Sequence, residues 1–549
     1  MPRLLTNDPV KVVEATGFDS WHHCLPPKLG IDQFRTALPL LITDGNDAVL
    51  VAKEIDRTNL EAIDKPGVRF AFHTPYFSFD RYERASDAYQ TLPDAVADLA
   101  GTAVELDPDL PVGLHAELTE RLGIPPVATE FPAPMNHYRV PRATVAAQAA
   151  WGRDAVTAAA EEYLSVMPAQ AQIRDWLTRP TGDVLASLDE LMAREGIEAI
   201  LASSPLNVQE LTGVPATLLA DGTWAVYLRE APDVHVLARR ELPWLGLPEA
   251  APADRGLVPG LVDGASLGYE ELDLSRRAFA GFCLDDIVTR PASLVLRRWR
   301  ELRTVDDAAY YLIGAQITRA GIDTAISVAE QGMASGDNTT ELQAYERYRG
   351  SIAADVAKLP IRVRTYFTHT HTGDRSHIPA LATAHRIHRR TSLKIDAGLE
   401  IYDEHGYLRA VSDITRTAVC TEASREFYDL LGRILTEHVI ASCRPGRTGH
   451  EVFTAGMSEL DRDRSWLVDS GFCPPSDLPL TEMFGRDIGH LLGKQEPATV
   501  VLEKGCTTRL EPGMAAAAEL QWPYHDYCVG VEDIFLVTED EPVNLTRVV

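Results

Sequence analysis

Two apolar rhythms alternate along the chain. Short apolar runs of strand length occur at Ala48-Val49-Leu50-Val51-Ala52, at Ile197-Glu198-Ala199-Ile200-Leu201 and at Val234-His235-Val236-Leu237-Ala238. Between them lie stretches with helical spacing. Val184, Leu185, Leu188, Leu191 and Met192 fall on one helix face, and Gly196 is a natural stop. Residues 144–163 read as one long Ala-rich helix, and Met167-Pro168 to Pro180 as a boundary after it. A further helix is predicted over Ala308 to Ile326, with Thr304 and the acids Asp306 and Asp307 as its start signal.

The front half of this pattern repeats. Pro9, Val12, Glu14, Thr16 and Gly17 recur as Pro205, Val208, Glu210, Thr212 and Gly213. Each copy continues into one of the strand-like runs above, then into Val112-Gly113-Leu114 or Leu267-Gly268-Tyr269. Three matches in one order indicate duplication of an α/β unit. Neither copy has a glycine-rich phosphate loop or a nucleophile cluster, so both read as structural or assembly units. Three domains are expected, over residues 1–178, 179–298 and 299–549.

The 549 residues carry 80 acidic and 52 basic side chains, a formal charge of −28. Such a chain has no general attraction to nucleic acid or anionic membranes; the basic piece Arg297-Arg298-Trp299-Arg300 is too short to reverse this. Seven scattered cysteines without a CxxC pair suggest neither a disulfide framework nor a thiolate zinc site. No apolar window approaches a membrane span, and the first residues have no long apolar leader core, so a cytoplasmic protein is expected.

Chemistry concentrates in the last third. Asp396 ends the apolar run Leu393-Lys394-Ile395, and Asp413 lies in Val411-Ser412-Asp413-Ile414. His490 sits in Gly489-His490-Leu491-Leu492-Gly493, Glu519 follows Ala515-Ala516-Ala517-Ala518, and Glu532 lies in Val531-Glu532-Asp533. A carboxylate within an apolar strand costs several kcal/mol unless it is paired or coordinated. Taken singly, each is readable as a salt-bridged core residue. Together, four carboxylates and one imidazole suit hard or borderline divalent metals, and the charge is enough for two ions.

These segments resemble the catalytic domain of the aminopeptidase P, prolidase and creatinase family, known as the pita-bread fold. The resemblance rests on Ile395-Asp396-Ala397-Gly398, on 412–417, on Gly-His-x-x-Gly at 489–493, on Leu510-Glu511-Pro512-Gly513-Met514 and on 531–533. It implies an α+β catalytic domain over about 300–549, preceded by two creatinase-like N-terminal α/β domains. It also implies two divalent ions (manganese, cobalt, iron or zinc). Asp396 would hold one, Asp413 and Glu532 would bridge both, and His490 and Glu519 would complete the other. Glu519 would act as general acid/base on a bridging water that attacks an amide or peptide carbonyl. A homodimer acting on a short peptide or other small molecule is expected from the same resemblance.

The departures from the family pattern fall around the metals. Asp396 and Asp413 are 17 apart, where 11 is usual, which predicts a lengthened hairpin turning at Gly406. Pro497 and Pro379 stand where the peptidases carry accessory histidines, Gly530 where they carry an arginine, and Arg486 where proline-specific members often carry histidine. His377 is placed to substitute for one lost histidine. His369 and His371 alternate on a strand-like run and share one face, as a pocket-lining pair or as surface histidines on an edge strand. Arg486, His369 and His371 are thus candidate substrate-binding residues. Three activities remain open: an Xaa-Pro peptidase, a specialised hydrolase or lyase acting on a small non-peptide metabolite, and a protein that has kept the fold without catalysis.

Overall fold

The computed structural model describes the chain except residues 1, 19–38, 62, 75–87, 102, 125–134, 166–169, 180–182, 220–221, 243–250, 254–255, 285, 337, 374, 376–380, 388–391, 495–498, 525–526 and 548–549. Its front half contains two sheets with a shared plan. In the first, strand Arg3–Thr6 leads into helix Pro9–Thr16 and then into the hairpin Leu40–Thr43 and Ala48–Lys53; Val104–Leu106 pairs parallel to the first strand. In the second, Ala199–Ala202 leads into helix Pro205–Thr212 and the hairpin Thr223–Leu228 and Asp233–Ala238, with Leu267–Tyr269 parallel to its first strand. The repeated motif forms both helices. Asp8 and Ser204 cap their N-termini with side-chain oxygens, Pro9 and Pro205 open them, and Gly17 and Gly213 close them at φ 76° and 69°.

Several sequence expectations need adjustment. Val112-Gly113-Leu114 opens helix Val112–Leu122, whereas Leu267–Tyr269 is a strand, so this third match is not structurally equivalent. Residues 144–163 form two helices, Arg142–Ala149 and Arg153–Leu164. Gly152 separates them at φ 69°, against the hydroxyl of Tyr310, a conformation that a side-chain-bearing residue adopts only with strain. Strand Met135–Pro141 pairs with Asp233–Ala238 and so lies in the second sheet. The helix expected from Ala308 does start there and runs to Ser335, behind a 3₁₀ turn Thr304–Asp307 whose Asp306 and Asp307 pair with Arg303, Arg409 and Lys494.

The back half is the α+β domain that the sequence leads one to expect. The 28-residue helix Ala308–Ser335 and helix Glu341–Val356 pack on a sheet ordered Arg362–Thr372, Leu393–Tyr402, Leu408–Val411, with Ile414–Ala418 also paired to the middle strand. A second sheet runs Gly489–Leu491, Ala515–Tyr524, Tyr527–Leu536, Val543–Asn544, covered by helices Glu422–Ile434 and Gly449–Leu460. The two sheets meet where Ile414–Ala418 lies beside Tyr527–Leu536. There the Thr417 hydroxyl both donates to the Gly530 carbonyl and accepts from its N–H, each at 2.9 Å. The lengthened hairpin turns at Gly406, φ 85°. Among the described residues, no helix is long and apolar enough to cross a membrane.

Candidate metal centre

Strand geometry brings the carboxylates together. Strand Leu393–Tyr402 pairs with Leu408–Val411 along its second half and with Ile414–Ala418 along its first. Ser412 and Asp413 form the link at which the chain changes partner. Ser412 is fixed there: its hydroxyl accepts from Leu399 N–H at 2.9 Å, and its own N–H donates to the Leu399 carbonyl at 2.8 Å. Asp413 thus lies between the two strands and is buried, 5% exposed. Opposite, Glu519 and Glu532 are register partners across the hairpin Ala515–Tyr524/Tyr527–Leu536. Two carboxylates directly opposite repel each other unless a cation lies between or beside them.

His490 completes the set. It lies on the short strand Gly489–Leu491, opposite Ala517. Its Nδ1 is 3.1 Å from the Leu491 carbonyl, which only accepts, so Nδ1 carries the proton and Nε2 presents its lone pair. Nε2 lies 3.6 Å from Asp413 Oδ2. One ligand atom each from Asp413, His490 and Glu532 lies within 4.8 Å of the other two. Thr415, two residues after Asp413, donates to Glu532 at 2.9 Å and accepts from Gln521 at 2.6 Å. This donor set of two oxygens and a neutral imidazole nitrogen, with hydrogen bonds orienting the ligands, fits a divalent ion.

Asp396 and Glu519 flank this trio and each faces a cation. Lys394 Nζ is 3.9 Å from Asp396 and 3.1 Å from Gln521 Oε1, while Gln521 Nε2 is 3.3 Å from Asp396. Arg486 Nη2 donates to Glu519 at 3.0 Å. Burial pushes Asp396 up to about 6, with Lys394 pulling the other way. Burial also opposes ionisation of Glu519, but the Arg486 guanidinium and a hydrogen bond with Asp487 outweigh it and hold the group below the ordinary carboxylate range. Neighbouring Asp487 moves up to about 7, through burial and then the Glu519 charge.

His369 is the register partner of Asp396, and His371 is fully buried, their rings stacked at 5.9 Å. His369 is half-buried beside Asp396 on the edge strand of the sheet, and His371, in register with Lys394, is enclosed. His377, Pro379 and Pro497 lie outside the described residues. Thr415, Gln521, Lys394 and Asp487 escaped the sequence reading. Lys394 and Gln521 stand two residues from a candidate ligand on the same strand, so period-2 geometry identifies them once the ligands are known, and Thr415 lies on the strand that follows Asp413.

At Gly530 a Cβ would collide with Gln521 Oε1 and sit 2.8 Å from Thr415 Cγ2. Gln521 therefore fills the space that a side chain at position 530 would need.

No curated protein sequence matches the chain. An X-prolyl aminopeptidase from Caenorhabditis elegans, described as a cytosolic enzyme with a di-nuclear active site, superposes with a TM-score of 0.59 at 12% identity, covering 100% of this chain and 86% of that one. A prolidase from Pyrococcus furiosus superposes with a TM-score of 0.50 at 19% identity, over 65% of this chain and 99% of that one. At these identities the likeness concerns the fold. Residues 310–539 match the model of metallopeptidase family M24. Residues 310–539 thus read as a metallohydrolase domain like those of the M24 metallopeptidases, and the whole chain takes a fold like that of the X-prolyl aminopeptidase.

Proposed function

We propose that the chain is a dinuclear metal-dependent hydrolase that cleaves a peptide or amide bond, as an Xaa-Pro aminopeptidase or prolidase does. The convergence of Asp413, His490 and Glu532 carries this reading. Asp413, His490 and Glu532, with Asp396 and Glu519 beside them, would hold the two ions. Bound divalent metal would supply Lewis acidity and lower the pKa of a coordinated water.

The chain's own groups supply the rest. Glu519 is ionised and oriented by Arg486, so its carboxylate takes the proton of the attacking water and returns it to the leaving nitrogen as the C–N bond breaks. His369, opposite Asp396, and Arg486 would donate hydrogen bonds to the substrate, with His371 stacked on His369. His377 remains a candidate for a further donor. The filled space at Gly530 supports a second reading, a hydrolase or lyase for a small non-peptide metabolite, because it alters the surroundings of the carboxylates on the Asp396 side.

The test is turnover by the full chain, loaded with manganese or cobalt, of Xaa-Pro peptides, other dipeptides and a panel of small amides. Cleavage of an Xaa-Pro peptide that disappears in Asp413→Ala is expected. A metal-loaded protein inert toward every peptide rejects the peptidase reading, and turnover confined to the amides selects the second.

A further inference from the structure

The repeated helix of the second N-terminal unit, Pro205–Thr212, ends against the catalytic domain, and its eight residues reach both segments that carry candidate ligands. Gln209 clamps the segment before Asp413. Its Oε1 accepts from Leu408 N–H at 3.0 Å and its Nε2 donates to the Leu408 carbonyl at 3.2 Å. Glu210 clamps the segment after His490. Lys494 Nζ lies 3.0 Å from both oxygens of Glu210 and 2.8 Å from Asp307.

Lys494 and Glu210 are both fully buried, a rare situation for either residue unless paired. Around them lie Arg303, 2.6 Å from Glu210, and Arg409, 2.8 Å from Asp403 and 3.7 Å from Asp307. The cluster therefore holds three cations and three carboxylates, all nine-tenths or more buried. The Lys494 backbone is at φ 65°, left-handed for a residue with a Cβ, and its N–H donates to the Tyr311 hydroxyl at 3.0 Å. That hydroxyl donates in turn to the Leu492 carbonyl at 3.3 Å. The turn closing Gly489–Lys494 is thus held by contacts from outside its own sheet.

The first repeat shows that the unit's own fold does not require this burial. Its helix Pro9–Thr16 has the same caps, but Glu14, at the position of Glu210, is exposed, and Val13, at the position of Gln209, is 38% exposed. The burial of Gln209 and Glu210 serves the docking of the second unit on the catalytic domain.

We propose that Gln209 and Glu210 are positioning residues of the metal centre: through Leu408 and Lys494 they set the spacing between the Asp413 and His490 segments. The metal arm of this inference rests on the function proposed above; the positional arm does not.

The test uses the full chain without metal, followed by hydrogen exchange over residues 488–494 and over Leu393–Tyr402, and by calorimetric titration with Mn²⁺. Glu210→Gln is expected to speed exchange at least tenfold over 488–494, to leave Leu393–Tyr402 unchanged, and to raise the Kd for Mn²⁺ at least tenfold. The double variant Glu210→Gln/Lys494→Met removes both buried charges of the pair, leaving neither as a lone ion, and is expected to show the same release if the single variant folds poorly. Met192→Ala, in the fully buried apolar core of the second unit and outside the buried charges, is the control for general destabilisation. Unchanged exchange in the Glu210 variants, or an equal increase in Met192→Ala, overturns the proposal. A wild-type chain that binds no Mn²⁺ overturns the dinuclear reading instead, and the exchange data still decide the positional role.

Discussion

At the scale of single residues, the centre depends on groups that do not touch a metal. Thr415 is fully buried and holds Glu532 on one side and Gln521 on the other. Gln521 in turn reaches Asp396, and Lys394 holds its far end. One hydroxyl thus links the orientation of two candidate ligands. Losing such an outer partner typically weakens metal affinity 10- to 100-fold. Thr415→Val keeps the shape and removes the bonds. We expect about a tenfold or greater rise in the Kd for Mn²⁺, measured by calorimetry, with an unchanged circular dichroism spectrum. An unaltered Kd would show that Glu532 is oriented without Thr415.

At the scale of elements, the three-residue strand Gly489–Leu491 presents His490 and pairs with Ala516, Ala517 and Ala518. Gly489 adopts φ 139°, and a Cβ there would drive into the Ala517 carbonyl and the Ala518 backbone. A methyl group at 489 must push the strands apart, at a cost of roughly 2–4 kcal/mol by comparison with other strained or overpacked sites. Gly489→Ala is therefore expected to lower the thermal midpoint and abolish Mn²⁺ uptake, read by calorimetric scanning and metal analysis; a wild-type midpoint with full metal content refutes this. The ligand-bearing strands were legible because a carboxylate in an apolar run is anomalous locally. The break at Gly152 was not, because alanine-rich sequence favours helix on both sides and the glycine's left-handed geometry is set against Tyr310, far away in the chain. Nor was the placement of Met135–Pro141 in the second sheet, since strand partners are chosen by long-range pairing that periodicity does not encode.

At the scale of the whole molecule, the −28 charge conceals a balanced interior where the second unit meets the catalytic domain. Glu210 matched a repeat, and Lys494 followed a ligand motif, but nothing local indicates that residues 284 apart share a buried ion pair. The pair has a pH signature. Burial opposes ionisation of Glu210, yet Lys494 and Arg303 overcome it and hold its pKa down at about 2, from an ordinary 4.5. A carboxylate depressed in the folded state contributes its stability fully above its unfolded pKa and loses it as pH falls toward the folded value. For this shift the contribution is on the order of 3 kcal/mol. The thermal midpoint of the wild-type chain should therefore exceed that of Glu210→Gln by a constant margin above about pH 5, and the gap should narrow between pH 4.5 and 2. Both are compared by calorimetric scans on the full chain across that range. A gap independent of pH would mean that Glu210 stabilises the interface by packing alone, with its charge already neutralised in the folded protein.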